Sequence, residues 1–310
     1  MVPLRLISLI FSTVIIVNAV PQKASQKESG SLPVSVLTDD QVHFFRPYGH
    51  YAAAAACGAS TTLTWTCGTH CEATPSFKPV ASGGDGSITQ FWYVGYDPTL
   101  ETIIVSHQGT DIAKIIPLIT DALIFMSPLN PSLFPGVSSG VQVHHGFGFA
   151  QEQSATQVLE AVKTAMANSG FKKVTVAGHS LGAAIALISS AHLALHLPSD
   201  TTFRTIVYGL PRVGNKAFAD YMDAHANVSH INNKSDLVPE FPDRILGYVH
   251  PKGELHIVNS GAWVDCPGQE NNNGQCTNGY APNIIFGAIG ELLANQDQHG
   301  GPYDSVHMGC

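Results

Sequence analysis

One stretch constrains the fold of this chain more than any other: residues 174–184, which read Val-Thr-Val-Ala-Gly-His-Ser-Leu-Gly-Ala-Ala. The first four residues alternate as in a buried strand, and the small and apolar residues from Ala183 onward favour a helix. Between them lies Gly178–Gly182, a G-x-S-x-G pattern that is typical of a nucleophile elbow when a strand precedes it and a helix follows. A serine in so sharp a turn leaves no room for side chains at the flanking positions, so both are glycine. The stretch predicts that Ser180 is a nucleophile.

The turn is expected to lift the Ser180 hydroxyl clear of the sheet, beside the positively polarised N-terminus of the following helix. The alternative is an ordinary strand–helix turn with a surface serine. A hydroxyl buried in the structure, or a partner histidine turned away from it, would count against the nucleophile.

Composition excludes one class of partner. The chain has 310 residues, of which 44% are hydrophobic and 12% are charged, which indicates a well-buried core and a lightly charged surface. Its net charge of −8 comes without a basic run, which argues against nucleic acid as a partner.

The N-terminus is typical of a secreted protein. Arg5 precedes an apolar run at residues 6–17, and Val17-Asn18-Ala19 resembles a cleavage site, so residues 1–19 are predicted to be a signal peptide. Residues 20–36 are polar and predicted to form a flexible leader. The remaining residues, 37–310, contain no evident linker and are predicted to form a single domain.

Secretion decides how the cysteines are interpreted. The chain has six cysteines, and an even number in an oxidising compartment predicts three disulfides. A zinc site needs a second closely spaced pair near Cys67, which the chain lacks, so no metal is expected. Loop lengths favour two local pairs and leave the first cysteine for the last: Cys67–Cys71, Cys266–Cys276 and Cys57–Cys310.

Helices and strands alternate after residue 100, which predicts an α/β fold with a mainly parallel sheet covered on both faces. Residues 67–86 are predicted to be a loop. The predicted helices cover residues 41–57, with Asp39 or Asp40 as N-cap, and residues 147–168, 183 onward and 216–224. The predicted strands cover residues 90–96, 102–107, 174–177, 202–208, 227–231 and 255–258.

The acid that would orient a catalytic histidine should follow a strand, because active-site loops gather at the carboxyl ends of parallel strands. Asp236 comes directly after a predicted strand and precedes Leu-Val-Pro, so it is the first candidate and Glu240 is the second. A sequon at Asn233 lies next to this acid and is predicted to stay unglycosylated, whereas a second sequon lies at Asn227.

The base should follow the acid in the chain. His250 and His256 lie in a turn and in a probable strand, where a histidine usually has only a structural role. His299 lies in a glycine-rich loop that can swing an imidazole over the elbow, and His307 lies three residues before the terminus. The residues alone leave both of the last two open.

The oxyanion of an ester-cleaving intermediate needs preorganised hydrogen-bond donors. The backbone N–H of Leu181, the residue after the nucleophile, is one candidate. The loop after a predicted strand, Gln108-Gly109-Thr110, offers the other, and Thr110 can supply both its N–H and its hydroxyl. The alternative role for Thr110 is a helix N-cap.

Three motifs together resemble the fungal class 3 lipases, the group typified by the Rhizomucor lipase. They are Gly178–Gly182, Gly209–Asn215 (Gly-Leu-Pro-Arg-Val-Gly-Asn) and Asp236–Pro239. The resemblance runs from about Asp40 to the C-terminus, and Val143–Phe147 resembles the strand-to-helix segment before the elbow in that family. It implies an α/β-hydrolase fold, with a central and mostly parallel sheet, helices on both faces and a lid over the active site.

The resemblance also selects the histidine. In these lipases the triad histidine lies shortly before a terminal cysteine that is bonded to the N-terminal helix, and His299 stands in that relation to Cys310 and Cys57. It is therefore His299, rather than His307, that the resemblance implies as the base.

The chain departs from the family pattern at two places. Gln108 stands where the family often has arginine, and His299 is followed by Gly-Gly-Pro rather than a bulky apolar residue. Tyr303 then falls one place later than usual, a spacing that resembles the mono- and diacylglycerol lipases of basidiomycete yeasts.

The family carries a lid after the oxyanion loop. Here residues 111–134 are rich in Ile, Leu, Phe and Met and are interrupted by Pro117 and by charged residues. Such a segment can cover the serine in water and turn its apolar face to a lipid surface. Periodicity alone equally allows a core helix, and the resemblance favours the lid.

The leading hypothesis is a secreted ester hydrolase that acts on acylglycerols at a lipid–water interface. Ser180 would attack the ester, His299 would move the proton, and Asp236 would orient His299. No metal, organic cofactor or obligate protein partner is expected. The alternatives are a feruloyl-type or other soluble-ester esterase on the same fold, and a catalytically silent lipid-binding homologue.

Overall fold

The computed structural model describes residues 31–110, 125–280 and 296–310. The predicted signal peptide (1–19), the first part of the leader (20–30) and the first part of the lid (111–124) lie outside the described residues.

A nine-stranded sheet forms the centre of the described chain, and its strands run in the order β1-β13-β12-β10-β8-β7-β4-β3-β2. Four further strands form a second sheet in the order β11-β9-β6-β5. The strands of the two sheets are β1 (Ser35–Val36), β2 (Lys78–Gly83), β3 (Trp92–Asp97), β4 (Thr102–His107), β5 (Met126–Pro128), β6 (Gln142–His144), β7 (Lys173–His179), β8 (Thr202–Tyr208), β9 (Gly214–Asn215), β10 (Val228–Asn233), β11 (Tyr248–Val249), β12 (Glu254–Ile257) and β13 (Trp263–Cys266). Parallel pairing joins β4, β7, β8, β10 and β12, and antiparallel pairs flank them. The sheet is thus parallel at its centre, as predicted, and antiparallel at both edges.

Helices cover both faces of this sheet. They are α1 (Asp39–His43), α2 (Arg46–Ala54), α3 (Ala59–Thr64), α4 (Thr69–Ala73), α5 (His145–Glu152), α6 (Ala155–Ser169), α7 (Leu181–His196), α8 (Lys216–His225), α9 (Thr277–Tyr280) and α10 (Gln296–His299).

Alternation along β4 shows how the two layers arise. Ile103 and Val105 belong to the core that contains α7, whereas Ile104 belongs to the core that contains α2. Successive side chains of a strand point to opposite faces, so a continuous apolar strand supplies both cores. Helix α7 is buried from Leu181 to Leu193, as expected for a helix that is apolar over most of its circumference.

The N-terminal helix predicted over residues 41–57 is two helices, α1 and α2, and the N-cap is Thr38 rather than Asp39 or Asp40. The Thr38 side chain accepts from the backbone N–H of Gln41, whose side chain in turn accepts from the Thr38 N–H, a capping box. Pro47 lies in the first turn of α2. Its missing N–H costs no hydrogen bond there, and its fixed φ suits the start of a helix.

Three other boundaries differ from prediction. Residues 67–86 were expected to be a loop but contain α4 and β2. The helix expected over residues 147–168 is divided into α5 and α6. The leader predicted to end at residue 36 is too long, because β1 already pairs with β13.

Three disulfides have the pairing that loop lengths favoured: Cys57–Cys310, Cys67–Cys71 and Cys266–Cys276. The first joins the end of α2 to the last residue, 253 positions along the chain. Within the described ranges, none of the helices is both long and apolar enough to cross a membrane.

Candidate active site

The elbow at Ser180 has the tight geometry that the sequence predicts. Ser180 has φ 59° and ψ −127°, a backbone conformation that L-residues rarely adopt. A Cβ at Gly178 would lie 2.3 Å from the Gly182 carbonyl oxygen, and one at Gly182 would lie 2.2 Å from the carbonyl oxygen of His107. Neither position tolerates a side chain, so both glycines are sterically required.

The Ser180 side chain is buried, and its hydroxyl has no hydrogen-bond partner. The expectation of an exposed hydroxyl is therefore wrong for this structure. The burial of the Ser180 hydroxyl counts against its role as a nucleophile. The loop after β4 helps to bury Ser180, because Gly109 packs against it. A Cβ at Gly109 would lie 3.3 Å from the Ser180 Cβ. An ester can reach the hydroxyl only after the surroundings of Ser180 open.

Asp236 and His299, 63 residues apart in the chain, are joined by a hydrogen bond. Nδ1 of His299 lies 2.8 Å from Oδ2 of Asp236, and both side chains are buried. The other carboxylate oxygen, Oδ1, accepts from the backbone N–H of Val238 at 3.0 Å. A carboxylate on Nδ1 fixes the tautomer that leaves Nε2 free to accept a proton, and Nε2 of His299 is buried without a partner.

The loop that carries Asp236 is held by a buried cation. Arg212 donates to the carbonyl oxygens of Glu240 and Pro242 and forms a two-bond pair with Glu270, with both N–O distances 2.9 Å. Glu240, the second candidate acid, pairs with this arginine at 3.3 Å. The Glu240 carboxylate thus forms an ion pair with Arg212 and not a hydrogen bond with His299.

His299 does not lie on a flexible loop as predicted, because it ends the short helix α10 and its carbonyl oxygen is held by two side chains. His179 Nε2 donates to that oxygen at 2.8 Å, and the Tyr303 hydroxyl donates at 3.1 Å. Burial and the neighbouring His299 keep the pKa of His179 well below its usual value, so His179 stays neutral and donates through one nitrogen. The residue before Ser180 therefore positions the backbone of His299.

Gly209 makes room for the imidazole. It has φ +55°, and a Cβ there would lie 2.8 Å from Cε1 and 2.9 Å from Nδ1 of His299. The sequence placed Gly209 in a motif but did not predict this role for it. It also did not predict that His179 and Tyr303 bind the backbone of His299. The only available signal for Gly209 was its place directly after β8, at the carboxyl edge of the sheet.

The chain after His299 is anchored to the N-terminal helices. Asp304 accepts from Arg46 at 2.8 Å and lies 3.0 Å from His43 Nδ1. A Cβ at Gly49 on α2 would lie 3.5 Å from the Val306 side chain, so Val306 lies next to α2, and the terminal disulfide closes the segment.

The structure brings both candidate oxyanion donors to the elbow. A Cβ at Gly109 would lie 2.6 Å from the His179 carbonyl oxygen, so the loop that carries Thr110 packs directly on the turn. Leu181 is the first residue of α7, where a backbone N–H has no acceptor within the helix. Thr110 is half-buried and does not cap a described helix.

None of the remaining candidates takes part in the Asp236–His299 hydrogen bond. His307 is exposed. Asn233 is fully buried, and its side-chain amide donates to the Gln298 carbonyl at 2.8 Å, while Asn227 is exposed. In the described residues, one group has metal-ligand types close together, Glu254 with Cys266 and Cys276, but the disulfide occupies both sulfurs.

Comparison with known proteins identifies relatives of the whole arrangement. The sequence model of the lipase (class 3) family matches residues 104–245. A secreted mono- and diacylglycerol lipase of Malassezia restricta is 34% identical over 56% of this chain and 56% of its own length, so this chain spans little more than half of that relative. Another from Malassezia globosa is 31% identical over 87% of both chains.

Solved structures show the same fold. Rhizomucor miehei triacylglyceride lipase superposes with a TM-score of 0.72 at 23% identity, over 89% of this chain and 98% of that chain. Lipase II from Rhizopus niveus gives a TM-score of 0.72 at 25% identity over the same shares. The predicted α/β-hydrolase fold is confirmed.

Proposed function

The chain belongs to the class 3 lipases, and from that premise we propose that it hydrolyses acylglycerol esters through Ser180, His299 and Asp236. One observation carries the proposal: a buried Asp236–His299 pair with a 2.8 Å hydrogen bond, on the same edge of the sheet as a strained serine elbow. A buried carboxylate on Nδ1 stabilises the imidazolium that forms when Nε2 takes a proton.

In the proposed reaction, Ser180 Oγ attacks the ester carbonyl as His299 Nε2 takes its proton. The negative charge that develops on the carbonyl oxygen is met by the N–H of Leu181 and by Thr110. The tetrahedral intermediate expels the alcohol, which takes the proton from His299. Water, deprotonated by the same nitrogen, then releases the fatty acid from the acyl-serine.

We propose that the burial of Ser180 corresponds to a closed form of the enzyme. Both reacting atoms, Ser180 Oγ and His299 Nε2, are buried without partners, and catalytic hydrogen bonds tighten in the substrate complex. We expect a lipid–water interface to favour the open form, with part of residues 111–134 as the lid.

The names of the relatives support a proposed substrate class and location. The Malassezia proteins are named secreted mono- and diacylglycerol lipases, which favours partial glycerides as substrates and an extracellular location for this chain. We propose that residues 1–19 are a signal peptide and that residues 37–310 are one catalytic domain, with no cofactor.

The test compares substrates with one acyl chain length. The purified mature protein should release fatty acid from emulsified mono- and dioctanoylglycerol, with a rise in rate above the concentration at which the substrate aggregates. Faster hydrolysis of soluble feruloyl esters would favour the esterase alternative. No hydrolysis of any ester, with Ser180 resistant to an organophosphonate, would favour the silent homologue.

A further inference from the structure

A second feature adjoins two of the residues that would touch the reacting ester. A cavity of about 640 Å³ borders both Thr110 and His299. Its other walls include Lys234, Asp297 and His307, so a lysine, an aspartate and a histidine border the same space.

Lys234 is the free cation of this cavity. It is half-buried, and its ammonium forms no ion pair or hydrogen bond within the described ranges, whereas the ammonium groups of Lys163, Lys172, Lys216 and Lys252 each pair with an acid.

The backbone of Lys234 is fixed in a conformation that disfavours its own side chain. Its φ is +50°, its N–H donates to the Ile257 carbonyl at 2.7 Å, and its own carbonyl oxygen accepts from His256 at 2.9 Å. Glycine or asparagine fits such a position better. The fixed backbone therefore anchors a long cationic side chain in the wall of this cavity, two residues before Asp236.

The position of the cavity identifies the part of the substrate that it can take. His299 protonates the departing alcohol in the proposed reaction, so a group that lies against His299 and Thr110 belongs to the alcohol rather than to the far end of the acyl chain. An acyl chain gains nothing from walls that carry an ammonium and a carboxylate, because desolvating those groups against methylenes costs free energy. Hydroxyl groups can accept from the ammonium and donate to the carboxylate.

We propose that this cavity is the alcohol-side subsite and that Lys234 binds a free hydroxyl of a glyceryl group, which makes Lys234 a specificity-determining residue. The inference rests on the proposed function, since it assumes that Ser180 and His299 cleave an ester. It predicts that substrates with an unesterified glycerol hydroxyl gain from Lys234, whereas simple alkyl esters do not.

The experiment compares 1-monooctanoylglycerol with ethyl octanoate, two esters that share the acyl chain. For each enzyme the ratio of kcat/KM for the two is measured, so that the amount of correctly folded protein cancels. Lys234→Met removes the charge and keeps the length, Lys234→Arg keeps the charge, and Lys163→Met is a matched control on the exposed face of α6.

We expect Lys234→Met to lower the ratio about tenfold, the effect of losing one hydrogen bond to a charged group. Lys234→Arg should keep most of the ratio, and Lys163→Met should keep all of it. An unchanged ratio in Lys234→Met would overturn the subsite and leave the proposed function standing. So would a higher kcat/KM for an anionic lysophospholipid with the same acyl chain, because the ammonium would then serve a phosphate. A wild-type enzyme that cleaves neither ester would overturn both proposals.

Discussion

Replacing Gly209 with alanine tests whether the position of the His299 ring controls catalysis. The new Cβ would lie 2.8 Å from Cε1 of His299, whereas carbon atoms in contact prefer about 3.5 Å or more. The imidazole must therefore move by about 0.7 Å. This movement also displaces Nδ1, the atom that is hydrogen-bonded to Asp236. Since a misplacement of about 1 Å can cost on the order of 100-fold in rate, we expect kcat/KM to fall by about 30- to 100-fold.

Backbone strain has to be separated from this effect, because alanine at φ +55° also costs about 1–2 kcal/mol in stability. Gly170 is a matched control: its φ is +74°, and nothing lies within 4 Å of the added Cβ. Both variants should lose similar thermal stability, but only Gly209→Ala should lose activity. The assay is kcat/KM for monooctanoylglycerol per active site, counted by the burst of a chromogenic organophosphonate. Wild-type kcat/KM in Gly209→Ala, or an equal loss in Gly170→Ala, would refute the reasoning.

Three further predictions follow from the same structure. His299→Ala should lower kcat on ethyl octanoate, an ester without a glyceryl group, by several orders of magnitude, while His307→Ala, which changes only the wall of the neighbouring cavity, should change it little; the reverse order would assign the base to His307. Mass spectrometry of the secreted protein should find a glycan on the exposed Asn227 and none on Asn233, whose amide is buried and bonded; a glycan on Asn233 would contradict the arrangement around Asp236. Burial raises the pKa of Glu254 to about 7, so the folded state binds more protons than the unfolded state between the unfolded pKa, near ~4.3, and pH 7. The stability that the protonated Glu254 carboxyl contributes, up to about 3 kcal/mol, is present at low pH and is lost as pH rises through that window. Denaturant unfolding at pH 5 and pH 8 should therefore show a smaller change in the free energy of unfolding for Glu254→Gln than for the wild type. An equal change in the two proteins would place the ionised carboxylate in the folded state at pH 5.

The parts of the site that sequence could predict are those encoded locally. The elbow at Ser180 is specified by its own two glycines, and the position of Asp236 follows from the strand before it. The choice of His299 was different, because residue patterns left His307 open and only the resemblance to a family separated them. Contacts over 63 residues of chain are invisible to local periodicity.

The supporting contacts were missed for the same reason. Gly209 and Tyr303 reach His299 only in the folded chain, and nothing in their local sequence says which side chain they face. The burial of Ser180 was also missed, since an elbow predicts the shape of a turn and not what packs on it. At the N-terminus, the prediction of a single helix over residues 41–57 did not use Pro47, a residue that often marks the first turn of a new helix.

Covalent labelling of Ser180 tests the central claim most directly. An organophosphonate ester with an octyl chain should add one phosphonyl group per molecule of the mature enzyme, on the peptide that contains Ser180, with complete loss of hydrolysis. His299→Ala should react at least a hundredfold more slowly, because the hydroxyl then lacks its base. A wild-type protein that hydrolyses acylglycerols while Ser180 stays unmodified, or that is labelled on a different residue, would contradict the account.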